Sequence, residues 1–140
     1  MLDIGTGTGL LSMMAARSGA RHVTALEVCV HAEFIVILHG ISSISKVFRP
    51  MAKLARHIIH DNGLQDTITV VPKRSTEAVV GVDLPAKADV VVMEIFDSEL
   101  IGEGVLPTMR HAMQVSTRTS AQLLHCRPFV RRRWWQKTVL

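Results

Sequence analysis

Cysteine is scarce in this sequence, which has only Cys29 and Cys126 and no Cys-x-x-Cys pair. Two distant cysteines exclude a disulfide-rich secreted scaffold and fit a reduced compartment, so we expect a cytoplasmic and/or nuclear protein. Asp3 stands where a secretory leader would carry basic and then apolar residues, so no signal peptide is expected. The longest apolar run, at positions 34–38, is far shorter than the roughly 20 residues of a membrane helix, and we expect no membrane partner.

Acidic residues are missing between positions 127 and 137, where five basic residues stand. The formal net charge is +4, and without this segment the chain is close to neutral, so its charge does not indicate nucleic-acid binding. The cluster Arg131–Trp135 could contact phosphates and stack on bases. A tail translated out of frame explains it better, and nucleic acid is not expected as a partner.

His57 and His60 have no third ligand at metal-site spacing, so no metal site is expected.

Apolar residues make up 48% of the 140 positions, which is typical of one globular domain. Strand and helix patterns alternate along the chain, which predicts βαβ units and a doubly wound α/β sheet. The predicted strands are 2–4, 22–28, 67–71 and 88–95, and the predicted helices are 9–18 and 49–61. Positions 29–46 and 115–140 show no clear period, so no element is predicted there.

A glycine-rich turn follows the first predicted strand, with glycine at positions 5, 7 and 9. Glycine lets the backbone turn sharply and lets a ligand come close to it, and the turn would present free amide N–H groups at the start of the helix that follows. The Gly-x-Gly-x-Gly spacing differs from the Gly-x-Gly-x-x-Gly of dinucleotide binders, which favours a ligand without a pyrophosphate. The turn therefore predicts a site for S-adenosylmethionine rather than NAD, with Gly5, Thr6, Gly7 and Gly9 as its cofactor-binding residues.

Two carboxylates accompany the turn. Asp3 precedes it by two residues, where its side chain could accept hydrogen bonds from loop amides or from a ligand's ammonium group. Glu27 closes the second predicted strand, where an acidic side chain accepts both ribose hydroxyls in nucleotide sites. The alternatives are a loop-capping role for Asp3 and a solvated strand end for Glu27.

An acidic segment follows the last predicted strand. Glu94 ends that strand, and Glu103 lies nine positions later, across a loop that contains Gly102. With Asp97 and Glu99, these carboxylates would repel one another if they were packed together, so we expect a cation among them. The alternative is a solvated acidic loop.

Together these motifs resemble the protein arginine N-methyltransferases. The resemblance rests on positions 2–9, Glu27, the Met51-Ala52-x-x-Ala55 helix and the Glu94/Glu103 pair, and it covers residues 1–28 and roughly 47–114. It implies a Rossmann-like S-adenosylmethionine-dependent methyltransferase fold. It also implies methyl transfer from S-adenosylmethionine to protein arginine, with histones and other arginine-rich proteins as substrates.

The resemblance also implies roles for particular residues. Glu94 and Glu103 would be catalytic, because two carboxylates can hold a planar guanidinium bidentately and leave its reacting nitrogen richer in electron density. Ser75, Thr76 and Glu77 would lie near the adenine of the cofactor.

The sequence departs from the family's pattern in several places. The helices that precede the first strand and the carboxyl-terminal β-barrel have no counterpart, so we expect a truncated fold. We interpret residues 1–114 as a partial methyltransferase domain with an insertion at about 29–46, and residues 115–140 as a divergent basic tail. Retained intron sequence or a gene-model error would explain the insertion, and a frame change would explain the tail. The chain alone is expected to be weakly active or inactive, and the alternatives are a non-catalytic fragment or a small-molecule S-adenosylmethionine methyltransferase.

Overall fold

A computed structural model describes residues 1–28, 51–95 and 104–125. Within these ranges the chain forms a five-stranded sheet and three α-helices. The elements in chain order are β1 (Leu2–Ile4), α1 (Leu10–Arg17), β2 (Val23–Leu26), α2 (Met51–Asp61), β3 (Ile68–Val71), a 3₁₀ turn (Ser75–Glu77), β4 (Ala88–Met93), α3 (Val105–His111), a π-helical turn (Ala112–Ser116) and β5 (Thr117–His125). Among the described helices, none has the length and apolar character that crossing a bilayer requires.

The sheet is parallel, with strand order β3-β2-β1-β4-β5. β1 lies at its centre, and Leu2 is in register with Thr24 of β2 and Val91 of β4. The chain continues from β1 to β2 and β3 on one side and reaches β4 and β5 on the other. In sheets of this kind, ligands bind at the carboxyl ends of the strands where the order reverses, which here is between β1 and β4. The predicted α/β fold is confirmed.

One face of the sheet is covered by α1 and α2. Ala52, Ala55 and Ile59 recur at helical spacing on α2, are buried, and pack against the β2 and β3 side chains. The helix ends at Asp61, and Gly63 then adopts a left-handed φ of 68°. This packing places α2 beside the turn that follows β1.

The second face carries the other apolar core. Its fully or nearly fully buried side chains come from β1, β2, β4 and the segments that follow β3 and α3: Leu2, Ile4, Leu26, Ala78, Leu84, Ala88, Val91, Met93 and Ala112. Because both faces of the central strands are covered, β4 is a nearly continuous apolar run instead of an alternating one.

Residues Thr117–His125 form a strand that the sequence pattern did not predict. β5 pairs in parallel with β4 and ends the described sheet, with an irregular register between Ala88 and Val90. Its exposed positions do alternate, at Arg118, Ser120 and Gln122. Positions 29–46 and 126–140 lie outside the described residues, and the insertion and the divergent tail stay predictions.

Candidate functional site

The glycine turn lies directly after β1, at the carboxyl edge of the sheet. Gly5, Gly7 and Gly9 have φ values of 73°, 56° and 88°, which residues with a side chain rarely adopt. A Cβ on Gly5 would lie 3.0 Å from Cγ2 of Ile95, just beyond β4. A Cβ on Gly9 would lie 3.1 Å from Cδ1 of Ile59 on α2. The turn therefore fits closely between the end of β4 and helix α2.

Several amides of the turn are already hydrogen-bonded within the protein. The N–H groups of Gly5 and Thr6 both donate to the carbonyl oxygen of Leu26, at 2.9 and 3.0 Å. Gly9 N–H donates to the Thr6 carbonyl at 2.9 Å, and Gly7 N–H donates to Oε2 of Glu27 at 2.7 Å. The prediction that the turn presents free amides is therefore wrong for these four groups, because the turn folds back over the end of β2 and, at Gly9, closes on its own Thr6 carbonyl.

Glu27 lies beside the turn, as its position after the second strand predicts. Its own N–H donates to the Val71 carbonyl at 3.1 Å, which ties the end of β2 to β3. Its half-buried carboxylate is held against Gly7 by the 2.7 Å hydrogen bond. Contact with ribose hydroxyls stays a prediction.

Asp3 lies beneath the turn and is fully buried. Its Oδ2 accepts hydrogen bonds from Thr6 Oγ1 at 2.7 Å and from Ser12 Oγ at 2.6 Å, and the two hydroxyl oxygens are 3.1 Å apart. Oδ1 has no hydrogen-bond partner among the described residues. Burial raises the pKa of the Asp3 carboxyl above its ordinary value, and the hydrogen bonds from Ser12 and Thr6 oppose that rise.

The structure thus assigns Asp3 a supporting position, while contact with a ligand stays a prediction. Sequence reasoning did not single out Ser12. A signal was available: this serine is flanked by Leu11 and Met13 on an apolar helix, yet it is the buried residue of α1.

A cavity of about 260 Å³ opens at the carboxyl edge of the sheet. It lies between the ends of β1, β2 and β4, the 3₁₀ turn and the start of α3, and its lining comprises Ile4, Gly5, Leu26, Val28, Lys73, Arg74, Ser75, Thr76, Ile95, Gly104, Pro107 and Thr108. The predicted site residues Gly5, Ser75 and Thr76 therefore meet at one cavity. Ser75 is buried and Thr76 is exposed.

Lys73 and Arg74 also line this cavity and were not predicted as site residues. Lys73 Nζ lies 2.8 Å from Oδ1 of Asp83 and donates to its Oδ2 at 2.9 Å, and Val79 N–H donates to the same Oδ2 at 2.9 Å. The hydrogen bond from Lys73, with that from Val79, lowers the pKa of the Asp83 carboxyl. These contacts fasten the loop after the 3₁₀ turn to the wall of the cavity.

Glu94 directly follows β4, and its side chain is exposed at the same edge of the sheet. Glu103 lies outside the described residues, as do Asp97 and Glu99. The Glu94/Glu103 pair and the cation expected among these acids therefore stay predictions.

Comparison with known proteins connects this geometry to one family. No protein-family model matches the chain. It is 49% identical over 116 residues to a protein arginine N-methyltransferase 7 of Aedes aegypti, and 47% identical over 114 residues to that of Rattus norvegicus. These matches cover 81% and 80% of the chain, and the chain spans 14% of the length of each relative.

Solved structures give the same result for the fold. The Trypanosoma brucei PRMT1 enzyme–prozyme heterotetrameric complex with AdoHcy matches with a TM-score of 0.67 and 28% identity, over 88% of this chain and 31% of that one. Protein arginine methyltransferase 10 of Arabidopsis thaliana matches with a TM-score of 0.58 and 26% identity, over 79% and 25%. The resemblance indicated by the motifs is confirmed: over about 80% of its length the chain is similar to the protein arginine N-methyltransferases.

Proposed function

We propose that this chain binds S-adenosylmethionine at the glycine turn and contributes to methyl transfer onto the guanidinium of protein arginine. The observation that carries the proposal is the hydrogen bond between Glu27 and Gly7. It joins the end of β2 to the glycine turn at the carboxyl edge of the sheet, where β1 lies between β2 and β4. Relatives at 45–50% identity are named protein arginine N-methyltransferase 7, which supports the same reaction.

The shape of the site fits the cofactor. The missing Cβ at Gly5 leaves open the narrow space in front of Ile95, which any larger residue would fill. Ser75 and Thr76 lie at the cavity wall, where the adenine is expected. They follow β3, the glycine turn follows β1, and Glu27 follows β2, the strand between these two. The structural neighbour from Trypanosoma brucei is described as a complex with AdoHcy, the product form of this cofactor.

Charge on the substrate explains the proposed role of the acids. A guanidinium stays protonated at physiological pH and its lone pairs are delocalised, so it is a poor nucleophile until it is oriented. Glu94, at the end of β4, and Glu103 would hold it as a planar fork and direct one nitrogen toward the cavity. When bound, the cofactor supplies an electrophilic sulfonium methyl group. Gly5, Glu27 and Thr76 would hold this cofactor, which would give its methyl group to the guanidinium nitrogen and keep the S–C electron pair on sulfur, while the nitrogen's extra proton would pass to water.

Calorimetry with S-adenosylmethionine tests the cofactor site. We expect saturable binding of S-adenosylmethionine by the 140-residue chain and none of NAD. Glu27→Gln keeps the size of the side chain and removes its charge, and we expect about tenfold weaker binding. Asp66→Asn, which removes an exposed carboxylate in the loop before β3, is the matched control and should bind like wild type. Equal affinity of wild type and Glu27→Gln would contradict the role of Glu27.

A peptide methylation assay tests the acids and separates the alternatives. The chain spans 14% of the length of the relatives it matches, and a non-catalytic fragment that binds cofactor is the second candidate function. We expect weak or no turnover of an arginine-rich peptide by the chain alone, and loss of any turnover in Glu94→Gln and Glu103→Gln. Turnover equal to that of a full-length relative would contradict the first expectation, and activity that survives both substitutions would remove the acids from the mechanism.

A location in the cytoplasm and/or nucleus is part of the same proposal. It is supported by the sequence positions of the two cysteines, which form no Cys-x-x-Cys pair. Fluorescence microscopy of the tagged chain in cells checks it. A signal confined to a membrane-bound secretory compartment would contradict it.

A further inference from the structure

Ser12 has an environment that is unusual for a serine on a surface helix. It is 0% exposed, while Leu10 and Met14 of the same helix are 59% and 56% exposed. A helix that packs only through apolar contacts would bury the leucine and the methionine and expose the serine. The burial of Ser12 therefore reflects its polar contacts.

Those contacts form a closed three-residue network, which we call the Asp3–Thr6–Ser12 network. Both hydroxyls donate to the same carboxylate oxygen of Asp3, at 2.7 Å for Thr6 and 2.6 Å for Ser12. Hydrogen bonds of this length to a carboxylate are among the stronger ones in proteins. Because Asp3 Oδ1 has no partner among the described residues, the two hydroxyls are the groups that compensate for the burial of this side chain.

The network joins three consecutive pieces of the site. Asp3 belongs to β1, Thr6 lies within the turn between two glycines, and Ser12 belongs to the first full turn of α1. Fixing the Thr6 side chain restricts the rotation of the peptide units on either side of it. One of these units carries the Gly7 N–H that bonds to Glu27. The glycines of the turn have no side chains and Thr8 is exposed, so the buried Thr6 is the residue through which the turn can be held from below.

We infer that Ser12 is a positioning residue of the cofactor site, which acts through Asp3 and Thr6 to hold the glycine turn in its binding conformation. This inference rests on the proposed function, because that function makes the turn the binding element. Ser12 itself lies beneath the turn and touches neither the cavity nor Glu27 among the contacts of the described residues. Its effect on binding is therefore indirect.

Amide hydrogen exchange tests the inference without cofactor. Gly9 N–H bonds to the Thr6 carbonyl and Met13 N–H to the Gly9 carbonyl, so both report on the turn. In Ser12→Ala we expect these two amides to exchange about tenfold faster, while the Val91 amide in β4 changes less than about threefold. Ser18→Ala, at the exposed end of α1, is the matched control and should leave all three unchanged.

Variants of Thr6 supply a second, independent measurement. Thr6→Val removes the hydroxyl at nearly constant volume and should loosen the same two amides, whereas Thr6→Ser keeps the hydroxyl and should restore wild-type exchange. These two variants decide the question if Ser12→Ala does not fold. Unchanged Gly9 exchange in Ser12→Ala would overturn the inference. Equal acceleration at Gly9 and Val91 would also overturn it, because that result means general destabilisation.

Calorimetry then separates this inference from the proposed function. If wild type binds S-adenosylmethionine, Ser12→Ala and Thr6→Val should bind about three- to tenfold more weakly, and Thr6→Ser and Ser18→Ala within about twofold of wild type. Wild-type affinity in a folded Ser12→Ala would overturn the inference and leave the cofactor site in place. If wild type binds no S-adenosylmethionine, the proposed function fails and the role of Ser12 in binding fails with it.

Discussion

Replacing Gly5 with alanine tests how closely the turn approaches β4. Two effects should destabilise this variant. The left-handed φ of 73° at Gly5 disfavours any residue with a Cβ, at a cost of about 1–2 kcal/mol. The new Cβ would also lie 3.0 Å from Cγ2 of Ile95, which requires a shift of the packed side chain and costs about 1–3 kcal/mol.

Gly7→Ala is the matched control for this experiment. Gly7 has a left-handed φ of 56°, but a Cβ there would meet nothing within 4 Å. Urea denaturation should therefore give a loss of about 1–2 kcal/mol in the free energy of unfolding for Gly7→Ala and about 2–5 kcal/mol for Gly5→Ala. The difference between the two variants isolates the contact with Ile95.

A double-mutant cycle identifies that contact directly. Ile95→Ala removes the crowded Cγ2 atom. The loss of unfolding free energy caused by Gly5→Ala should therefore be about 1–3 kcal/mol smaller in the Ile95→Ala background than in wild type. Equal destabilisation by Gly5→Ala and Gly7→Ala, together with additive effects in the cycle, would refute the close approach of the turn to β4.

The remaining predictions concern titration and surface charge. Because burial raises the pKa of Asp3, the folded state keeps this proton at pH values where the unfolded chain has lost it. The free energy of unfolding should therefore fall as pH rises from the ordinary pKa of 3.8. Urea denaturation at several pH values should show that Asp3→Asn abolishes this decline. Lys73 lowers the pKa of Asp83, so this pair should stabilise the fold above pH 3.8, the ordinary pKa, and lose that contribution as pH falls through the lowered pKa. Lys73→Met should weaken this loss of stability in acid. An unchanged dependence of the free energy of unfolding on pH would contradict the pairing. Arg118 and Asp89 form an exposed pair at 3.1 Å, and Asp89→Asn should change the free energy of unfolding by no more than about 1 kcal/mol in thermal denaturation; a larger loss would show that β5 depends on it.

The predictable parts of the fold are those with a strong local pattern. The residues of α2 place small and branched apolar side chains at helical spacing, and the structure has a helix over Met51–Asp61 within the predicted range of 49–61. The apolar run that begins at Ala88 gave β4, although the strand ends at Met93, two residues before the predicted end. In both elements the pattern is local, so a single sequence is sufficient to show it.

β5 could not be predicted because, of its described inward positions Thr117, Ala121 and Leu123, only Leu123 is strongly apolar. Thr117 is buried and Ala121 is half-buried, while Arg118, Ser120 and Gln122 are exposed. Its stabilisation comes from pairing with β4, a contact between distant parts of the chain that a periodicity in sequence does not report.

The site was predictable in its composition and less so in its hydrogen bonding. Spacing predicted that Gly5 and Glu27 lie at one edge of the sheet, and the family resemblance implied that Thr76 lies near the same site; the structure has all three at that edge. The pattern did not show that the Leu26 carbonyl accepts two of the turn's amides, or that Ser12 is buried against Asp3. Both features depend on how the turn folds back onto neighbouring strands and helices.

The binding of S-adenosylmethionine at the turn is the central claim, and a ¹⁵N NMR titration of the 140-residue chain tests it most directly. We predict saturable shifts of the Gly5, Gly7 and Thr76 amides, with the Gly7 amide among the largest because its hydrogen bond to Glu27 lies at the site. The Gly63 amide, which follows the end of α2 and does not line the cavity, should stay in place. An absence of shifts at the turn at saturating S-adenosylmethionine, or shifts confined to other parts of the chain, would contradict the account.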